Sequence, residues 1–445
     1  MKQFSQNSNF SIKNPFSSVL VKFALCFLFL GLAYHLFSST FVQFSPNIVI
    51  SDDTSFDVVP SQTFPPPPPP QPVNESLISP SDPLPNAKNN TTSQNGQCNL
   101  FEGDWVQDPS RPYYTNNTCF SIEDHQNCMK NGRPDTGFLS WRWNPRDCDL
   151  PKFNPTKFLS IMKNKSMAFI GDSIMRNHVQ SLLCTLSQVE EGVEVYHDKA
   201  YKSKRWYFPS HGFTLSVLWS PFLSKAAIFE DDNGVTTDII QLHLDELDPV
   251  WTNEVKNFDY ILVAGGKWFL KNTIYYENNT VVGCHNCQGK NNITEVGFDY
   301  AYRKVLNSTL NYIITSNHKV FTFFRTTTPD HFENGEWNTG GYCNRTKPFK
   351  EGEVEMISVD EIMHRVEIEE FEKAKSIGFE KGLSFKLFDT TKLSLLRGDG
   401  HPGAYRQYHP FDENKNVAKV QNDCLHWCLP GPIDSWNDLM LEMLL

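Results

Sequence analysis

The chain has 445 residues, 39% hydrophobic and 20% charged, which suits a globular protein with a real core. Its formal net charge of −11 lacks the basic footprint that a nucleic-acid partner requires, and makes a highly acidic polymer a poor electrostatic match. Aromatic residues reach 13%, with 34 Phe, which fits a large core or a surface that stacks on sugar rings; core packing is the commoner use.

Residues 1–18 are polar, with Lys2 and Lys13 and no acid. Residues 19–37 are apolar apart from Lys22, whose long side chain can snorkel, and His35 near the far end, and the run is about long enough to cross a bilayer as a helix. Apolar residues continue to Phe44 without a small-x-small cleavage site, so an uncleaved anchor is expected rather than a signal peptide. Positive charge precedes the span, and Asp52, Asp53 and Asp57 follow it. This predicts a cytosolic tail at 1–18 and a lumenal remainder. Ten cysteines follow the span, an even number that reads as disulfides in such a compartment. Nine acceptor sequons, at Asn74, Asn89, Asn90, Asn116, Asn164, Asn278, Asn292, Asn307 and Asn344, agree with that address.

Residues 38–95 are rich in Ser, Pro, Asn and Asp, with an unbroken run Pro65–Pro70, and cannot bury a core; a spacer stem is expected. Residues 96–152 hold Cys98, Cys119, Cys128 and Cys148, with few long apolar runs, and read as a small disulfide-stapled lobe. From 153 to 445 the pattern changes. Apolar runs predict buried strands at 167–170, 213–219, 260–264, 320–324 and 385–388. Helical periodicity appears at 174–186, 300–315 and 359–377. Strands alternating with helices predict an α/β domain built on a parallel sheet.

The first chemical motif is Phe169-Ile-Gly-Asp-Ser-Ile-Met-Arg-Asn177. It places Ser173 where a buried strand gives way to a helix, at the carboxyl edge of the sheet where α/β proteins bind ligands. Unpaired N–H groups at a helix start suit an oxyanion, and the helix dipole favours negative charge there. An ordinary N-cap serine reads the same way. The second motif runs from Asn422 to Asn437 and carries Asp423 and His426, three residues apart. On a turn that spacing puts both side chains on one face, so the carboxylate can hold the imidazole in the tautomer that accepts a serine proton. A metal site from Cys424, His426 and Cys428 is the rival reading, and a structural histidine is the plain one; paired thiols in an oxidising lumen argue against the metal.

Together these blocks resemble the GDSL/SGNH hydrolase superfamily. Further segments sharpen the likeness: Cys128-Met-Lys-Asn-Gly-Arg-Pro-Asp-Thr-Gly137, Trp141-Arg-Trp143, Phe324-Arg-Thr326, Gly335–Cys343 and Asp423–Asn437 are similar to the plant trichome birefringence-like family, and most of all to its xyloglucan O-acetyltransferase branch. The resemblance spans nearly everything from Cys98 onward. It implies an SGNH-like α/β/α parallel sheet with a small N-terminal lobe, held by a Golgi type II membrane anchor. It implies O-acetylation of a wall hemicellulose: xyloglucan first, mannan or xylan next. Hydrolysis of acetyl esters and non-catalytic binding of polysaccharide are the alternatives. Ser173 is the implied nucleophile, His426 the base and Asp423 its orienter. The implied disulfides are Cys98–Cys148, Cys119–Cys184, Cys128–Cys428 and Cys343–Cys424, which leaves Cys284 to pair with Cys287. An acetyl donor is required, supplied directly or by an acetyl-delivering membrane protein, with no bound cofactor and no metal. Oxyanion or substrate candidates are Gly171, Asp172, Arg176, Asn177 and Gly266. Lys267 stands where relatives carry His, beside Gly266, and Gly398 stands where they tend to carry Pro. Trp141, Trp143, Trp268 and Trp337 could stack on sugars but read first as core or lobe-packing residues, and His401 and His409 could line the cleft but read by default as surface-loop residues.

Overall fold

The computed structural model describes residues 98–229, 237–287, 292–412 and 420–445. The expected membrane span and stem lie outside the described residues. Among the described residues, no helix is long and apolar enough to cross a membrane.

In chain order the strands are β1 (Gly103–Gln107), β2 (Trp141–Pro145), β3 (Ser166–Gly171), β4 (Val193–His197), β5 (Lys204–Phe208), β6 (Phe213–Trp219), β7 (Ser224–Ala227), β8 (Ile240–Leu247), β9 (Tyr260–Val263), β10 (Thr273–Glu277), β11 (Thr280–His285), β12 (Phe321–Arg325) and β13 (Phe385–Phe388). The helices are α1 (Pro155–Ile161), α2 (Ser173–Leu186), α3 (Pro249–Thr252), α4 (Phe298–Thr315), α5 (Ser358–Glu380), α6 (Thr391–Leu395) and α7 (Asp434–Leu444).

The main sheet has the order β13-β12-β9-β3-β6-β5-β4. Its first five strands pair in parallel, and they fall where the apolar runs predict strands. Parallel strands are covered on both faces, so they read as continuous apolar stretches. Successive side chains point to opposite faces. Met167, Phe169, Leu215, Val217, Leu262 and Phe323 therefore share one core with Met175, Val179 and Leu182 of α2 and Trp436, Leu439 and Met440 of α7. Ala168, Ile170, Ile261, Val263 and Phe324 share the other with Ala301, Val305 and Leu306 of α4 and Met363, Val366 and Phe371 of α5. The result is three layers, helix, sheet and helix.

Two additions were not legible from periodicity. β5 and β4 extend the sheet as antiparallel strands, and β4 is exposed at every position. A second sheet, β11-β10-β8-β7, packs its buried Ile240, Leu242, Leu244 and Tyr275 onto the α4 side.

The N-terminal lobe is less separate than its composition suggests. Its β1–β2 ladder and the buried Trp105, Tyr114, Ile122 and Trp143 belong to the same core as α2 and α7. Buried polar ties add to this. Arg111 pairs with Asp438, Tyr113 O–H donates to Asp438 at 2.6 Å, and Tyr114 O–H donates to Asp434 at 2.7 Å. Five disulfides join Cys98 to Cys148, Cys119 to Cys184, Cys128 to Cys428, Cys284 to Cys287 and Cys343 to Cys424. Cys424 and Cys428 are thus both bonded to sulfur, and neither is left as a thiolate to join His426 around a metal.

Candidate active site

Strand β3 ends at Gly171, whose φ of +154° disfavours side chains; an added Cβ would lie 2.6 Å from the Ala264 carbonyl oxygen. This close turn delivers Asp172 and Ser173 to the sheet edge. Asp172, and not Ser173, is the N-cap of α2. Its Oδ1 accepts the Ile174 N–H at 3.0 Å. The Ser173 hydroxyl is thereby released from capping.

That hydroxyl lies 2.7 Å from His426 Nε2. His426 Nδ1 lies 2.9 Å from Asp423 Oδ2. Asp423 is 5% exposed, and its Oδ1 accepts the backbone N–H groups of Leu425 at 3.2 Å and His426 at 3.0 Å. Burial alone would raise the Asp423 carboxyl. The facing His426 charge and its hydrogen bonds outweigh burial and hold the group well below the usual carboxylate range. An ionised Asp423 accepts the Nδ1–H, so Nε2 presents a lone pair to the serine O–H.

The other candidate residues separate into those beside Ser173 and one behind it. Gly266 lies against the turn that carries Ser173, since a Cβ there would sit 2.2 Å from Asp172 Oδ2. Among the described residues, no hydrogen bond engages the N–H of Ser173 or of Gly266. Arg176, one turn along α2, lays its guanidinium 5.1 Å from the Trp219 ring centre, with a buried Nε that has no partner. Asn177 is fully buried, and its amide is spent on partners inside the protein. Its Nδ2 donates to Gln126 Oε1 at 3.1 Å and to the Trp427 carbonyl at 3.2 Å, while its Oδ1 accepts the Trp427 N–H at 2.7 Å. As an oxyanion candidate Asn177 is therefore corrected: its amide clamps the histidine loop to α2.

Lys267 is also committed elsewhere. Its ammonium lies 3.1 Å from Asp330 and in contact with Asp360. Burial lowers its pKa, but the two carboxylates outweigh that and raise it. Of the four tryptophans, Trp143 is fully buried and Trp141 packs against the core, whereas Trp337 is exposed. Trp268 packs at the core edge, edge-on to Trp219 at 5.7 Å. His409 is half-buried beside Asp412. His401 is no surface residue: it is 4% exposed and stacks on Trp427 at 4.3 Å.

Three neighbours escaped the sequence reading. His125, on a short helical turn of the lobe, presents its ring edge-on to His426 at 6.2 Å; burial, helped by the charge of His426, pushes its pKa down to about 4. Gln126 is buried, and its carbonyl accepts the Leu429 N–H at 2.9 Å. Trp219 pairs in register with Gly171 at the end of β6. A three-residue turn has no periodicity to betray it, and Trp219 looked like the last residue of a strand.

Comparison with known proteins agrees with this architecture. A family model described as a GDSL/SGNH-like acyl-esterase family found in Pmr5 and Cas1p matches residues 150–443, and one for the PMR5 N-terminal domain matches 96–149. Arabidopsis thaliana protein trichome birefringence-like 26 is 58% identical over 371 residues, covering 83% of this chain and 82% of the relative. Trichome birefringence-like 25 of the same plant is 54% identical over 99% of this chain and 95% of its own length. Xyloglucan O-acetyltransferase 1 of Arabidopsis thaliana is 43% identical over 78% of this chain and 80% of its own length. The chain carrying this Ser173, His426 and Asp423 arrangement is a member of the trichome birefringence-like family.

Proposed function

We propose that this chain transfers acetyl groups from a donor onto a plant cell-wall hemicellulose, with xyloglucan as the first acceptor to test, through an acetyl-serine at Ser173. The observation that carries the reading is the 2.7 Å contact of Ser173 Oγ with His426 Nε2, backed by Asp423. Relatives named xyloglucan O-acetyltransferase 1, from Arabidopsis thaliana and Populus trichocarpa at 43% and 42% identity, support the acceptor. The apolar run at 19–37 and the sequons support a Golgi type II anchor with the site in the lumen.

In the first step His426 Nε2 takes the Ser173 proton as Oγ attacks the donor's acetyl carbonyl carbon. The free N–H groups of Ser173 and Gly266 are the donors proposed for the developing oxyanion. The bond from acetyl to its leaving group breaks, and the leaving group departs with the proton held by His426. In the second step a sugar hydroxyl gives its proton to His426 and attacks the acetyl-serine. The Ser173 oxygen leaves and recovers that proton.

The same residues would hydrolyse acetyl esters if water entered at the second step, and the matching family is described as acyl-esterases. Incubating the purified full chain with a generic acetyl donor, with and without a xyloglucan oligosaccharide, separates the outcomes. Acetylated oligosaccharide is expected. Free acetate alone would make the chain an esterase, and no turnover would leave a binding protein. Ser173→Ala should lower either turnover by roughly 10³–10⁶-fold.

A further inference from the structure

Outside the catalytic residues, a second pair of histidines touches the His426 loop from behind. His331 follows β12, and its backbone N–H donates to the Cys424 carbonyl at 3.0 Å. Its ring Nε2 lies 2.8 Å from the Leu395 carbonyl oxygen, and its Nδ1 lies 2.7 Å from His401 Nε2. His401 Nδ1 lies 2.7 Å from the carbonyl oxygen of His426 itself.

The protons can be counted. A carbonyl oxygen only accepts, so His331 Nε2 and His401 Nδ1 each carry a hydrogen. A neutral imidazole has one N–H. Two neutral rings therefore exhaust their protons on the two carbonyls, and two lone pairs would face each other at 2.7 Å. One further proton between the rings turns that repulsion into a charge-assisted bond.

We infer that His331 and His401 share one extra proton and together act as a positioning pair that fixes the backbone of His426. The inference rests on the acetyl-transfer reading for its effect on rate, though not for the proton itself. Carboxylates of Asp330 and Asp399 face His331, and that of Asp423 faces His401. Lys267 opposes them beside His331, and His426 does so beside His401. Lys267 is shared by Asp330 and Asp360, and Arg397 is held by Asp399 at 2.7 Å. Arg133, paired with Asp135, donates to the His401 and Asp399 carbonyls. The His401 ring also lies over Trp427, whose face accepts positive charge. Burial holds each imidazole, taken singly, below its ordinary value, and His401, which the His331 charge also opposes, well below it; the two fixed carbonyls and the facing carboxylates act the other way, and the 2.7 Å contact between the two ring nitrogens calls for the shared proton.

Loss of the shared proton must sever one of the three bonds in the chain from Leu395 to His426. The His426 ring is then held less well against Ser173. The rate against pH should fall on the alkaline side as the pair deprotonates, about tenfold per pH unit beyond the pair's own pKa. In His331→Phe the neutral His401 can still donate Nδ1–H to His426, so the alkaline fall should vanish.

The test is a kcat–pH profile of the full chain and of H331F, together with proton and nitrogen resonance spectra of the histidine-labelled wild type. A single far-downfield N–H shared by two ring nitrogens in the wild type, and an alkaline limb absent from the variant, are expected. Nitrogen shifts of two ordinary neutral rings from pH 5 upward, or an unchanged alkaline limb in a folded variant, would overturn the proposal. The spectra need neither the variant nor turnover. A chain that transferred no acetyl would sink the proposed function, while the proton count would still be read directly.

Discussion

At the scale of single residues, the position of Asp172 decides what Ser173 can do. A serine that capped its own helix would spend its oxygen on a backbone N–H; here the aspartate takes that work and the serine faces a base. Asp423 is held just as specifically, with one oxygen on two backbone N–H groups and the other on His426 Nδ1. Asp423→Asn can keep the first set through its carbonyl, but its amide then points an N–H at Nδ1. That forces the proton onto Nε2, the wrong tautomer for accepting one from serine. The expected result is a kcat lower by about 10⁴-fold with the melting temperature little changed, read by steady-state kinetics and calorimetry on the same sample.

At the scale of elements, helix α2 does more than present Ser173. Through Asn177 it grips both the N–H and the carbonyl of Trp427, the residue next to His426. One helix thus sets the distance between two residues 253 positions apart. Asn177→Ala would strand those backbone groups and Gln126 Oε1 in a buried place. A stability loss of about 2–4 kcal/mol is expected from denaturant unfolding, with a drop in kcat larger than any change in KM. The elements also show what a sequence makes visible. The five parallel strands and helices α2, α4 and α5 were legible, because buried strands must be apolar and two-faced helices must be periodic. The Gly-Asp-Ser block and the Asp-x-x-His block were legible as a pair. Strands β4 and β5 were not, since an exposed antiparallel ladder needs no apolar run. Helix α7 was hidden for a different reason. Its buried Asp434, Asn437 and Asp438 look like solvent-facing residues, yet Asp434 and Asp438 bind the lobe and Asn437 donates to Ser181. His125 belonged to a fold contact that no local pattern encodes.

Across the whole molecule, buried titratable groups set opposing demands. Glu367, pushed up to about 7 by burial, and Asp434, pushed up to about 6 by burial, bind protons more readily folded than unfolded. Their contribution is present at low pH and is lost as pH rises through about 4 to 7. His125, lowered to about 4, and His178, lowered well below the ordinary histidine value, both by burial, bind protons less readily folded. Their contribution is lost as pH falls below about 6.5. Stability should therefore peak at about pH 6 and fall on both sides, which a calorimetric series from pH 4.5 to 8 would show as a maximum in Tm; a Tm rising steadily to pH 8 would contradict it. The Cys128–Cys428 bond joins positions 300 apart and ties the lobe to the histidine loop. Cys128→Ser should cost roughly 2–5 kcal/mol of stability, measured by chemical unfolding, with activity falling as His426 loses its anchor.

That long closure also dictates a timetable. A growing chain makes its lobe and Ser173 long before residues 423–428, so Cys128 waits unpartnered while some 300 residues are added. Throughout that interval Ser173 is an ordinary alcohol, with no base to sharpen it and no aspartate to orient one. The newborn chain stays chemically silent, and the proposed reactivity arises only when its late-made segment folds back and locks onto the part that was made first.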